Sequence, residues 1–478
     1  MASMNSDATG NGSSKILGIT VFSGGTAANS LVDVFSKIAE KRRCRLNYVI
    51  PISDNGGSSS ELIRFVGGPS VGDIRSRLVR LIPNHEGDKE MSALKALFEH
   101  RLDSDPLKAR SEWLDIVESR SLLWGFISSP KRELIRSVLN TLNLEIVKRA
   151  RPPNVFNFAS ASVGNMFLAG ARIFTGSFES AIYLLSMICS LPPHISVLPA
   201  INSNFTHHIS AGLRDGSTVA GQVAISHPSA PTALPDETEV APALTAADHD
   251  RIEDANLPGS LPALRRPHIA FSKAYDDEDD LPARIERLWY INPYGHEIAP
   301  TANPKVVEAL ARSDAVVYSI GSLYTSIVPS LVLRKVGQAI FDDGEGGDEG
   351  VVGEEKKKKK KVLILNSSID RETGPKWDPM TGMDFVSAIA RACVESRMPE
   401  MVGREELLRC YVTHLVYLDP DLGEGKGGEK GLKPLVDVQE LRRLGIACVK
   451  VAGRVGEKGG VRYDEAALGE ALEGIIGL

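Results

Sequence analysis

The apolar run Ile16–Phe22 passes directly into Ser23-Gly24-Gly25-Thr26, and a helical pattern starts at about Ala28. Few folds accommodate a strand, a glycine turn and a helix in that order. A short, uninterrupted apolar run reads as a strand buried on both faces. The glycines let backbone N–H groups approach an anion closely, and a helix start adds partial positive charge. Leu31, Val34, Phe35 and Ile38 fall at helical spacing, and Arg45–Ile52 reads as a second strand. A strand–helix–strand opening of this kind implies a parallel sheet.

The alternation resumes further on. Ile195–Ala200, Ala315–Ile320, Val362–Leu365, Tyr411–Leu418 and Cys448–Val451 read as strands, with helices over 303–313, 329–341, 383–397 and 465–476. This predicts a Rossmann-like α/β fold with a doubly wound, mainly parallel sheet, whose ligands bind at the carboxyl ends of strands. Residues 84–149 read as a helical insertion anchored by Trp113 and Trp124, and 155–174 as one helix with small residues on one side. His207–Ser226 reads as two strands around an Asp215-Gly216 hairpin turn, and Arg284–Ile291 as another strand. Residues 1–14 read as a disordered leader and 15–478 as one domain, interrupted by a mobile insertion at 227–267 and a low-complexity linker at 342–361.

Bulk properties narrow the function classes. A 42% hydrophobic and 24% charged chain of 478 residues has the make-up of a soluble globular protein. Its net charge of -6 speaks against a general nucleic-acid or membrane-surface binder. The five cysteines have no paired spacing, which fits reduced thiols in a cytoplasmic protein. No secretory or membrane-spanning segment is expected.

Several polar loops sit where strands end. Asp54-Asn55-Gly56-Gly57-Ser58-Ser59 follows the second strand. Its glycines free backbone donors, its serines add hydroxyls, and Asp54 suits a substrate hydroxyl or a divalent metal. A capped helix start is the alternative. Gly72-Asp73-Ile74-Arg75 pairs an acid with a guanidinium able to clamp a phosphate; a cap and local ion pair is the other reading. Gly321-Ser322-Leu323-Tyr324-Thr325-Ser326 offers glycine and hydroxyls to an oxyanion or diphosphate, with Tyr324 either stacking on a base or packing.

Together with Val163-Gly164-Asn165, these loops in this order resemble the CofD/YvcK family. That family contains 2-phospho-L-lactate transferases of deazaflavin coenzyme synthesis and YvcK-type gluconeogenesis factors that bind nucleotide sugars. The resemblance implies a nucleotide diphosphate near the first turn, cradled by Gly24, Gly25 and Thr26, with Asn29 beside them. It places Asp54 near the acceptor, with Asp73 and Arg75 as its catalytic companions. Asn55, Gly56, Gly57, Ser58, Ser59, Asn165, Gly321, Ser322, Leu323, Tyr324, Thr325 and Asn366 would line the same cleft. Departures are Ala27 in place of a glycine, Asn55 in place of a second acid, and an Asn366–Thr373 loop that keeps only Asn366, Glu372 and Thr373 of the branch pattern.

Two functions follow from one pocket. The first is transfer of a phosphate-linked group from a nucleoside-diphosphate-type donor to a hydroxyl acceptor, with magnesium as the candidate ion. The second is non-catalytic sensing of a nucleotide sugar or dinucleotide to regulate carbon or cell-wall metabolism. A third reading makes Lys356–Lys361 a contact for acidic partners, although such runs are usually solvated loops. A small-molecule nucleotide is the expected partner, with neither nucleic acid nor membrane; a homo-oligomer is one candidate assembly, and the sequence leaves the oligomeric state open.

Overall fold

The computed structural model describes residues 18–83, 87–151, 155–227, 261, 264, 280–342, 358–419, 432–455 and 460–477. The expected leader, and most of the expected insertion at 227–267 and linker at 342–361, lie outside the described residues.

The chain opens with β1 (Gly18–Phe22), the glycine turn, a 3-10 turn (Ala27–Leu31), α1 (Val32–Arg42), β2 (Arg45–Ile50), α2 (Gly57–Val66) and α3 (Gly72–Arg80). Helices α4 (Lys89–Glu99), α5 (Pro106–Val117), α6 (Ser129–Arg149), α7 (Val163–Thr175) and α8 (Phe178–Ile188) lead to β3 (Ile195–Pro199). Next come β4 (His208–Leu213), β5 (Thr218–Ala220), α9 (Gln222–Ser226), β6 (Ile285–Ile291) and β7 (Glu297–Ile298). Then follow α10 (Pro304–Ala311), β8 (Ser313–Tyr318), a π-helical turn (Leu323–Ile327), α11 (Val328–Leu331), α12 (Val336–Phe341) and β9 (Lys360–Ile364). The chain continues with α13 (Gly382–Glu395), α14 (Leu408–Tyr411), β10 (His414–Leu418), α15 (Val438–Arg443), β11 (Ala447–Val451), β12 (Gly453–Val455), β13 (Val461–Tyr463) and α16 (Glu465–Ile476).

Seven strands form one parallel sheet in the order β11-β10-β9-β8-β1-β2-β3. The chain leaves β1 toward β2 and β3, then returns to lay β8 on the other side of β1. Strand order therefore reverses between β1 and β8, where such sheets open a ligand crevice beyond the strand ends. β1 is buried at every position, as a central strand covered on both faces requires. A hydroxyl pair, Thr20 Oγ1 with Ser313 Oγ at 2.7 Å, satisfies two polar groups buried at the β1–β8 contact.

The helical insertion shares the hydrophobic core with the sheet. Trp113 is fully buried and its indole N–H donates to Asn143 Oδ1 at 2.9 Å; that of Trp124 donates to the Ile116 carbonyl, also at 2.9 Å. A side chain at Gly170 would come within 2.7 Å of the Val138 carbonyl, so glycine lets α7 lie closely on α6.

Some expectations need correction. The α-helix after the first turn starts at Val32, preceded by the 3-10 turn. Residues 155–162 are not helical; α7 starts at Val163, capped by Ser162 Oγ. The helix expected over 329–341 is broken into α11 and α12, with Lys335 at a left-handed φ of 79°. The Asp215-Gly216 turn holds, but the second strand stops at Ala220 and Gln222–Ser226 form α9, and the strands join β6 and β7 in a separate antiparallel sheet, β5-β4-β6-β7. The end of the lysine run is no solvated loop. Lys360 and Lys361 open β9, while Lys359 and Lys361 are 5% and 3% exposed and donate to the Ala339 and Cys410 carbonyls. The whole run's proposed contact with acidic partners therefore loses those two residues.

Candidate functional site

A cleft of about 500 Å3 opens at the strand-order reversal. The turn after β1 (Gly24, Gly25, Thr26, Ala27 and Ala28), the turn after β8 (Ile320, Gly321 and Ser322) and the loop after β9 (Asn366, Ser367, Ser368 and Asp370) line it. The amides of Gly24, Gly25 and Thr26 make no hydrogen bond with any described residue. Backbone donors left unpaired in a concave turn suit an anion.

Sterics explain both glycines. A Cβ on Gly24 would come within 2.9 Å of the Ser326 Cβ, and one on Gly25 within 2.7 Å of the Asp73 Cα. The turn is thus pressed between the start of α3 and the π-helical turn. Asp73 is half-buried and forms no hydrogen bond or ion pair with another described residue. It neither caps α3 nor pairs with Arg75, which removes the cap and ion-pair reading.

Arg75 turns the other way. Its Nε donates to Asn165 Oδ1 at 3.2 Å, and its aliphatic stem occupies the space that a side chain on Gly164 would need. Burial lowers its pKa to about 10, which leaves it charged at neutral pH. Asn165 Nδ2 in turn donates to Ser58 Oγ at 3.0 Å and Ser59 Oγ at 3.4 Å. Asp54 lies at the edge of this network. It accepts from the Gly56 amide at 3.0 Å, and its Oδ2 is 3.7 Å from where a Gly72 Cβ would sit. Gly57, at φ 57°, starts α2 in a conformation that glycine adopts without strain. Asn55 is spent on architecture: its Oδ1 accepts from the Val223 amide and ties the loop to α9.

Asp54, Asn55, Gly56, Gly57, Ser58, Ser59, Asp73, Arg75 and Asn165 are absent from the cleft lining itself, and the remaining expected residues divide in two. Asn366 joins its loop to the β8 turn through a reciprocal pair, accepting from the Gly321 amide at 3.1 Å and donating to the Gly321 carbonyl at 2.8 Å. Gly321 holds φ 137°, so glycine is needed there. Leu323, Tyr324 and Thr325 are buried in the π-helical turn and are absent from the cleft lining. Tyr324 donates its hydroxyl to the Ile285 carbonyl, so its ring is packed rather than free to stack on a base. Thr325 donates both its amide and its hydroxyl to Glu372. Asn29 also stands outside the lining and donates to Ser76 Oγ at 2.9 Å.

Glu372 accepts from the Tyr324 amide as well, at 2.8 Å. Burial first, and the neighbouring Asp370 second, push its carboxyl up to about 8 against the pull of those donors. Asp370 is raised too, chiefly by burial, while accepting from the Thr373 amide and hydroxyl.

Sequence reasoning missed the residues that β12, β13 and the start of α16 bring to the cleft. β12 and β13 form a hairpin that sets Arg454 directly opposite Arg462, and both line the cleft with Tyr463 and Glu465. Like charges facing across a hairpin repel. Glu465 answers Arg454 at 2.6 Å, whereas Arg462 has no hydrogen bond or ion pair with a described residue. The segment gave no signal beyond alternation on either side of a glycine-bearing stretch of sequence. Arg77 was hidden likewise in the pattern of α3.

Among the described residues, no cluster of three or more His, Cys, Asp or Glu is grouped to hold a metal ion. Asp54 and Asp73 offer one or two carboxylates, which suits a magnesium ion carried on a diphosphate better than a protein-made cage. All five cysteines are free, and no helix among the described residues is long and apolar enough to cross a membrane.

The sequence model of the family described as 2-phospho-L-lactate transferase CofD matches residues 19–450. An uncharacterized Saccharomyces cerevisiae protein is 39% identical over 427 residues, 84% of this chain and 90% of its own length. A Streptococcus pyogenes protein provisionally named a gluconeogenesis factor is 26% identical over 182 residues, 38% of each chain. The crystal structure of a UPF0052 family member from Bacillus halodurans superposes with a TM-score of 0.55 at 19% identity, covering 95% of this chain and 99% of that one.

Proposed function

Because the chain belongs to the CofD family, we propose that it binds a nucleoside-diphosphate-linked donor in this cleft and transfers a phosphate-linked group to a hydroxyl acceptor. The observation that carries this reading is the juxtaposition of Asp73, a carboxylate with no hydrogen bond or ion pair among the described residues, with the amides of Gly24, Gly25 and Thr26, unpaired among those same residues. Donors at the turn suit the diphosphate, while an adjacent base suits the incoming hydroxyl.

In the reaction, the acceptor oxygen forms a bond to the transferred phosphorus as the bridging P–O bond breaks. The nucleoside monophosphate leaves with the bond's electron pair, and the hydroxyl proton passes to the Asp73 carboxylate. Asp54 orients the acceptor from the same edge. Amides of the turn and the Arg462 guanidinium meet the charge on the phosphoryl oxygens, so catalysis rests on placement and electrostatics. Magnesium, when bound with the diphosphate, would neutralise part of that charge.

A sensing role for the same pocket gains support from Asn55, which stands where a second acid would help hold a metal and instead braces α9. Asp73→Asn distinguishes the two. An enzyme loses turnover and keeps nucleotide affinity, whereas a sensor shows no turnover in either form.

A further inference from the structure

Arg77 on α3 is completely buried, 0% exposed, beneath the glycine turn. Its Nη2 donates to the Gly24 carbonyl at 3.1 Å and to Ser23 Oγ at 3.3 Å, and its Nη1 to the Ala28 carbonyl at 3.4 Å. The guanidinium carbon lies 4.4 Å from the centroid of the Tyr48 ring, and Nε has no acceptor among the described residues. No carboxylate forms an ion pair with it among the described residues. Asp73, one turn earlier on α3, only adds a favourable field.

A buried cation is normally matched by a buried anion, because removing an isolated charge from water is costly. Here the contacts are neutral oxygens and a ring face. Burial lowers the guanidinium pKa, but arginine keeps its proton in proteins. The three oxygens it holds belong to the strand-to-helix turn, and Gly24 and Ala28 themselves line the cleft. Drawing those oxygens toward the core leaves the turn's unpaired amides for the cleft.

We propose that Arg77 supplies, beneath the turn whose oxygens it holds, the buried positive charge that a diphosphate in the cleft neutralises. This rests on the phosphate-binding reading of the cleft and adds to Arg462 a second, buried counter-charge. Fork geometry and charge are separable. Lysine keeps the charge without the planar fork, and glutamine keeps a donor without the charge.

Inorganic pyrophosphate is the probe, titrated calorimetrically into the full-length protein and into its Arg77→Gln and Arg77→Lys variants. Arg77→Gln is expected to weaken pyrophosphate binding about tenfold or more, and Arg77→Lys by no more than about threefold. Wild-type affinity in Arg77→Gln overturns the proposal. So does an equal loss in the two variants, which would make the residue a structural brace. If Arg77→Gln does not fold, Arg77→Lys decides alone: retained affinity supports the charge role, and a tenfold loss overturns it. Absence of binding to the wild type itself overturns the phosphate reading of the cleft and this proposal with it, a result distinct from the other two.

Discussion

Asp73 rests on Gly25 so closely that a methyl group on the glycine would come within 2.7 Å of the Asp73 Cα. The turn after β1 and the start of α3, separated in the chain by α1, β2 and α2, are thereby locked together at the head of the sheet, and an acid is fixed beside unpaired amides.

Gly25→Ala therefore must push α3 away from the turn, since the obstacle is partly backbone. Nucleotide affinity should fall by about tenfold or more, with a smaller loss of stability. Calorimetric titration together with thermal unfolding separates the two effects.

Asp73→Asn keeps the shape and removes the base. Turnover should drop by about 10²–10⁴-fold while donor affinity changes little. Steady-state kinetics with binding measured separately would show this; an equal loss in both would mean that Asp73 only holds the turn.

Arg462 lines the cleft with no hydrogen bond or ion pair to a described residue, and Arg454 is already engaged by Glu465. Arg462→Ala should weaken nucleoside diphosphate binding about tenfold and nucleoside binding hardly at all. Parallel titrations with both ligands check it.

Glu372 makes stability depend on pH. Its carboxyl titrates near 4.5 when unfolded and is pushed up to about 8 by burial and Asp370 when folded. The folded state then holds the extra proton, so this contribution is fully present below about 4.5 and is lost as pH rises through about 8. His208, lowered to about 4 by burial, acts oppositely by adding stability as pH rises from its folded value toward 6.5. Glu372→Gln should remove the Glu372 decline and leave the His208 rise. Denaturant unfolding of both proteins between pH 5 and about 8 reveals the difference.

Local pattern carried much of this into view. The turns after β1 and β8 could be read from their glycines at strand ends, and both line the cleft, whereas the glycine loop after β2, which looked alike, is absent from its lining. The parallel sheet followed from strand–helix alternation. Pairings between distant segments could not be read: β4 joins β6 across a long stretch, and nothing local distinguishes that from a parallel partner. Lys359 and Lys361 looked solvated because composition cannot show carbonyls waiting at Ala339 and Cys410. The hydroxyl and amides of Tyr324 and Thr325 resembled ligand donors, yet they serve the buried Glu372. Arg77 and Arg462 were invisible for a related reason, since an arginine's burial or exposure is set by what folds around it.

The most direct measurement is calorimetric titration of the full-length protein with a panel of nucleoside diphosphates, repeated with Gly25→Ala. Saturable binding of at least one diphosphate, weakened in the variant, is expected. No binding by the wild type, or identical binding by both proteins, would contradict a phosphate site at the turn after β1.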